Sequence, residues 1–147
     1  DVATHPVAEH RRRLGKPPET PIAEGSHWLW LSAGERPEAA LGALLAARVF
    51  PSRDELVDWL RARELPPAQC RIAAGQFAHA DDVAAIAAAA GIEGRFEPPA
   101  APGFYDSQAG HAISAFLHAA DGRYLLHVNG EIDGPRCAVV LVRRDPA

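Results

Sequence analysis

The chain has 147 residues, 48% of them hydrophobic and 23% charged, enough apolar surface for one folded domain and too much for wholesale disorder. Its net charge of -4 offers no overall attraction to nucleic acid or to an anionic membrane. No apolar run reaches the length of a membrane span, and no N-terminal hydrophobic segment follows a basic start. The absence of Met and the opening at Asp1 read as an excised or processed part of a longer protein, with the cytoplasm as the expected compartment.

Residues 1–25 read as a proline-containing tail, and 26–147 as a single α+β domain. The tail holds a basic cluster, His10-Arg11-Arg12-Arg13-Leu14-Gly15-Lys16, that suits an acidic partner or simple solvation. His27-Trp-Leu-Trp-Leu31 has few polar positions and predicts a buried central strand. Ala39 to Phe50, rich in Ala and Leu after Pro37, predicts a helix. A second helix starts at Ser52, where Glu55 completes a capping box and Leu56, Trp59 and Leu60 form an apolar stripe. Pro66-Pro67 ends it.

Gln69 to Ala74 predicts a strand closed by Gly75. A third helix follows, with Asp81 and Asp82 in its first turn, Val83, Ile86, Ala87 and Ala90 at helical spacing, and Gly91 as a left-handed terminus. This stretch, Arg71-Ile-Ala-Ala-Gly75-Gln-Phe77 and the alanine-rich helix after it, resembles half of a SPOR peptidoglycan-binding domain. The resemblance covers about 25 residues and implies cell-wall glycan binding by that half. It ends there, because the first half places a second helix where the family has a strand. Ile92 to Phe96 predicts another short strand, and Pro98 to Gly103 breaks the chain. Cys70 and Cys137 both fall in predicted strands without metal-site spacing, and read as small buried hydrophobes.

The last third predicts a three-stranded antiparallel meander. Ala112 to Ala120 and Arg123 to Asn129 flank Asp121-Gly122, a pair that favours a two-residue hairpin turn. Such a register sets Phe116 opposite His127 and Ser114 opposite Asn129. One face then carries Ile113, Ala115, Leu117, Ala119, Tyr124, Leu126 and Val128, the expected core side. The other carries Ser114, Phe116, His118, Leu125, His127 and Asn129, with the two histidines roughly 7–8 Å apart as diagonal neighbours. Asn129 to Gly134 is a turn, and Cys137 to Val142, apolar on both faces, predicts a central strand.

Two histidines on one face suit general acid–base chemistry near neutral pH. His118 and His127 are the candidate catalytic pair, with His111, Ser114 and Asn129 in support and Tyr105 and Asp106 in the preceding loop. Glu131 offers a carboxylate for a two-histidine metal site, but no compact ligand spacing supports one, so neither metal nor cofactor is expected. No complete catalytic motif is present. The reading therefore favours a non-enzymatic interaction module, binding a protein partner through Phe116 and Leu125 of the outer sheet face or through Arg11, Arg12 and Arg13. A small metal-independent, RNase-like toxin domain using the histidine pair is the alternative, with nucleic acid as its partner. Glycan binding by the SPOR-like half is the third. About three helices are expected to cover one face of the sheet.

Overall fold

The computed structural model describes residues 37–75, 77–99, 108–131 and 134–145, preceded by Pro17, Glu19, Leu29 and 31–34. The described residues form β1 (Gly42–Phe50), α1 (Arg53–Arg61), a 3-10 turn (Pro67–Gln69), β2 (Cys70–Ala74), α2 (Ala80–Ala90), β3 (Gly94–Arg95), α3 (Gln108–His118), β4 (Tyr124–Glu131) and β5 (Gly134–Arg144). This is an α+β fold with one mixed sheet in the order β1-β5-β4-β2-β3. β5 pairs antiparallel with both β1 and β4, whereas β2 runs parallel to β3 and β4.

Strand alternation divides the apolar residues between two helical layers. Cys70, Ile72, Leu126, Val128, Val139 and Leu141 meet Leu56, Val57 and Leu60 of α1 and Val83, Ile86 and Ala87 of α2. The opposite residues, Ala73, Leu125 and Val142, meet Ile113 and Phe116 of α3. Helices thus cover both faces, two against one, where the sequence predicts all three on the same side. Burying Phe116 and Leu125 completely contributes roughly 1.5–3 kcal/mol each.

Local rules placed several elements. The Ser52 hydroxyl accepts the Glu55 amide at 3.3 Å and starts α1. Gly91 ends α2 with φ +70°, a conformation that costs a residue with a Cβ. Cys70 and Cys137 are buried and free, and burial pushes both thiols up. β5 lies inside the sheet and is apolar on both faces, as its composition requires.

Three expectations are corrected. Residues 42–50 form a strand, paired along its length with β5, so tertiary pairing overrides the helix propensity of Ala and Leu. Ala112 to His118 is helical: Ala109, Ala112, Ile113 and Phe116 repeat at i, i+3, i+4 and i+7, while the interleaved alanines also permit a two-residue period. There is accordingly no three-stranded C-terminal meander; the C-terminal part contributes α3 and the β4–β5 hairpin. Asp121-Gly122 is the α3–β4 connection. Gly122 does need its positive φ of 73°, but two arginines hold the connection in place of a facing strand. Arg71 binds the Asp121 carboxylate in a fork, at 2.8 and 2.5 Å, and Arg144 donates to the Gly122 carbonyl at 2.7 Å. That fork holds the Asp121 carboxyl below its ordinary range. Most of the predicted strand at 27–31, the basic cluster with Arg11, Arg12 and Arg13, and Tyr105 and Asp106 lie outside the described residues.

Candidate functional site

The structure separates the two histidines. His118 ends α3 as an exposed side chain whose Nδ1 donates back to the Ser114 carbonyl at 2.9 Å, closing the last helical turn. His127 lies within β4 between Ala73 and Val140, 2% exposed, with Nε2 lacking any hydrogen-bond partner among the described residues. Burial lowers its pKa, so the ring is held neutral. His111 donates to the Pro99 carbonyl at 3.0 Å, and Ser114 stands half-buried on the helix. Phe116 and Leu125 are core residues at 0% exposure, packed together under α3. The predicted outer face is therefore an interior, and the acid–base pair is not assembled.

Asn129 has a different task at the end of β4. Its Oδ1 accepts the amides of Phe77 at 2.9 Å and Gly130 at 3.2 Å, tying the loop after β2 to the end of β4. Gly75 allows this approach: a Cβ there would meet Asn129 Oδ1 at 2.5 Å. The knot sits between the carboxyl ends of two parallel strands, β2 and β4, a usual place for ligands in open parallel sheets. A cleft of about 510 Å3 opens there, lined by Arg53, His79, Asp82, Asn129, Glu131 and Arg136 among others. Its charges are internally paired. Arg53 faces Asp82 at 3.5 Å and Arg136 faces Glu131 at 3.3 Å, so the cleft presents no uncompensated cluster of one sign from these four. Among the described residues no group of three or more His, Cys, Asp or Glu side chains is placed to hold a metal ion. No described helix is long and apolar enough to cross a membrane.

The remaining feature is an apolar strip that no described helix covers. α3 lies over β2, β4 and the Val142 end of β5. Beyond it, on the same face, stand Leu44, Ala47 and Val49 of β1 beside Ala138 of β5. Val49 is 64% and Leu44 46% exposed, and both alanines are exposed. β1 is also an edge strand: among the described residues it pairs only with β5. Its one charge, Arg48, turns to the opposite face and stacks on Phe50 and Trp59 at 5.6 and 6.0 Å. Sequence reasoning missed these residues because it took 39–50 as a helix. A signal was available: β5 is apolar on both faces and must be internal, which requires a strand on each side of it.

Comparison with family models, with curated proteins and with solved structures finds no match.

Proposed function

We propose that the chain is a non-enzymatic protein-interaction module whose working surface is the outer edge of β1, which among the described residues pairs only with β5, with the apolar strip beside it. The single observation behind this reading is Val49, 64% exposed on a nine-residue edge strand whose outward face carries no charge. Apolar edges are ordinarily blunted by prolines, charges, β-bulges or covering segments, because they template pairing with another strand. No proline or lysine interrupts β1; its register shift lies between Leu44 and Ala46, Arg48 turns to the covered face, and Ala46 to Phe50 run in regular register. The occupant that fits is an extended segment joining as a sixth strand: its backbone satisfies the outward N–H and C=O groups and its alternate side chains lie on Leu44, Ala47 and Val49. This keeps an interaction role but moves it from Phe116 and Leu125, which are buried, to a different part of the same sheet face.

A panel of short extended peptides with alternating apolar residues, offered to the wild-type chain and to Val49→Lys, tests the reading. Bound peptides are expected to slow amide exchange in β1 and to lose about tenfold in affinity for the variant. The reading fails if no peptide binds, or if Val49→Lys binds every peptide as well as the wild type does. The ribonuclease and glycan-binding readings gain no contact from the site geometry, and purified chain is expected to leave RNA intact.

A further inference from the structure

We infer that the extended segment accepted by β1 carries an acidic side chain, recognised by Arg48 and Arg63, the two guanidiniums that meet on the ring of Trp59. The inference rests on the strand-accepting reading above and names the chemistry of its partner. Arg48 is the only charge of β1, and its Cζ stands 5.6 Å from the Phe50 ring and 6.0 Å from the Trp59 ring. Arg63, two residues past the end of α1, brings its own Cζ to 4.1 Å from the same Trp59 ring. Phe50 is buried and packs against Trp59 at a centroid distance of 5.2 Å, so the core holds this platform in place. Trp59 is half-buried and both arginines are exposed. A planar guanidinium laid over an aromatic ring is ordered before any ligand arrives, and its N–H fork fits a carboxylate.

The chain does not answer these two charges itself. Among the described residues the ion pairs engage other arginines, and Asp58, next to Trp59, is committed to Arg61 at 3.7 Å. Two like charges on one ring repel each other, so an anion beside them is drawn by both. The place of Arg48 says where that anion comes from. Arg48 lies in the stretch Ala46 to Phe50, which pairs in regular register with Leu141 to Cys137. The cavity lined by Leu31, Pro37 and their neighbours reaches Gly42, Ala43 and Leu44 but none of the residues from Ala46 to Phe50. Side chains of a strand added along this stretch alternate between the faces. Those opposite Ala47 and Val49 lie on the apolar side, and the one opposite Arg48 projects toward the two guanidiniums. An apolar–acidic–apolar segment therefore suits both faces, and a basic residue at the middle position is repelled. A polyanion fits less well: the chain carries a net charge of -4, and Glu55, Asp58 and Glu64 stand along α1 and just after it.

Three short labelled peptides, in which Val alternates with Glu, with Gln or with Lys, test this by fluorescence anisotropy against the intact 147-residue chain. The Glu peptide is expected to bind about tenfold more tightly than the Gln peptide, and the Lys peptide more weakly than either. Rising salt is expected to narrow the gap. Arg48→Gln and Arg63→Gln, both at exposed positions, are expected to keep the circular dichroism spectrum, and each to lose part of the preference. The double variant is expected to bind the Glu and Gln peptides alike. Equal binding of those two peptides by the wild type overturns the inference, as does a preference that survives in the folded double variant. Amide exchange in β1 separates that failure from failure of the strand-accepting reading. A Gln peptide that protects β1 amides as well as the Glu peptide does leaves the edge a strand acceptor and removes only the acidic partner. Absence of binding by all three removes both. A single-stranded oligothymidylate that binds more tightly than the Glu peptide, and is lost in the double variant, would assign the arginines to nucleic acid and overturn the inference.

Discussion

β4 and β1 are both apolar strands hydrogen-bonded to β5, yet they end in opposite circumstances. β4 is closed on its two faces, with Leu126 and Val128 under α1 and α2 and Leu125 under α3. β1 is covered on one face, where Phe50 packs with Trp59 at a centroid distance of 5.2 Å, while on the other, among the described residues, Leu44 and Val49 stand 46% and 64% exposed. The one described helix on the second face spans β2, β4 and one end of β5, and meets β1 at Gly42, where a Cβ would lie 2.8 Å from Leu117 Cδ2. Apolar composition is therefore the same statement in the two strands with two different meanings: in β4 it reports a core, in β1 a face partly exposed among the described residues.

The largest effect that sharpens this contrast is in the core beneath α3. Phe116→Ala removes a fully buried ring that meets Phe96 edge-on at 5.4 Å and packs on Leu125, and is expected to cost about 3–5 kcal/mol in denaturant unfolding. A cost under about 1 kcal/mol would mean that α3 does not seal that face. Next in size is Gly122→Ala. A Cβ there would lie 2.6 Å from Arg71 Cγ while the backbone holds φ at +73°. Because Arg71 is anchored on Asp121 and on the carbonyls of Ala68 and Cys70, it has little room to yield. About 1–3 kcal/mol of destabilisation is expected, read as a lowered thermal midpoint.

Smaller, and dependent on pH, is the contribution of His127. The ring is buried, its Nε2 without a partner among the described residues, and burial lowers its pKa from the ordinary value of about 6.5. Below that value the unfolded chain binds a proton that the folded chain refuses. Stability is therefore complete above about pH 6.5 and declines as pH falls from there toward the folded pKa. His127→Leu keeps an apolar filling, removes the orphaned nitrogen and is expected to flatten that decline while matching or exceeding the wild type at pH 7. A persisting decline in the variant between pH 6.5 and 5 would assign the titration to another group. The Asp121–Arg71 fork makes its contribution at lower pH: it is present above the ordinary carboxyl range and lost as pH falls through the depressed Asp121 value.

How much of this was legible in the sequence follows the range of the interactions involved. Ser52, Gly91 and the Leu56–Leu60 stripe act within a turn or two of themselves, and their elements came out as read. The α3 segment and β1 are alanine-rich, and alanine carries no information about period or face. In the first, Ile113 and Leu117 satisfy a two-residue spacing as well as a helical one, and only the cover that Phe116 gives Leu125 and Ala73 decides between them. Residues 42–50 likewise become a strand because β5 offers a partner ninety residues away along the chain. The candidate site shared that fate. Histidines placed by a supposed hairpin dispersed once one arm became a helix, whereas Leu44 and Val49 came to one face through a bulge that no local signal marks.

The smallest expected effect is the one that most tests the contrast between the two strands. Val49→Ala deletes two methyl groups from a residue 64% exposed, and in an isolated copy it is expected to change unfolding free energy by no more than about 0.5 kcal/mol. The same deletion in Val128, which is 2% exposed, is expected to cost about 1–3 kcal/mol, because there the removed atoms leave a void against α1 and α2. With a strand-forming peptide bound along β1, the two numbers should approach each other, since binding makes Val49 an interior residue and adds its loss to the apparent stability. A Val49→Ala cost that stays near zero at every peptide concentration would leave the strip as plain solvent-facing surface, and a large cost without peptide would mean that another part of the same chain already covers it.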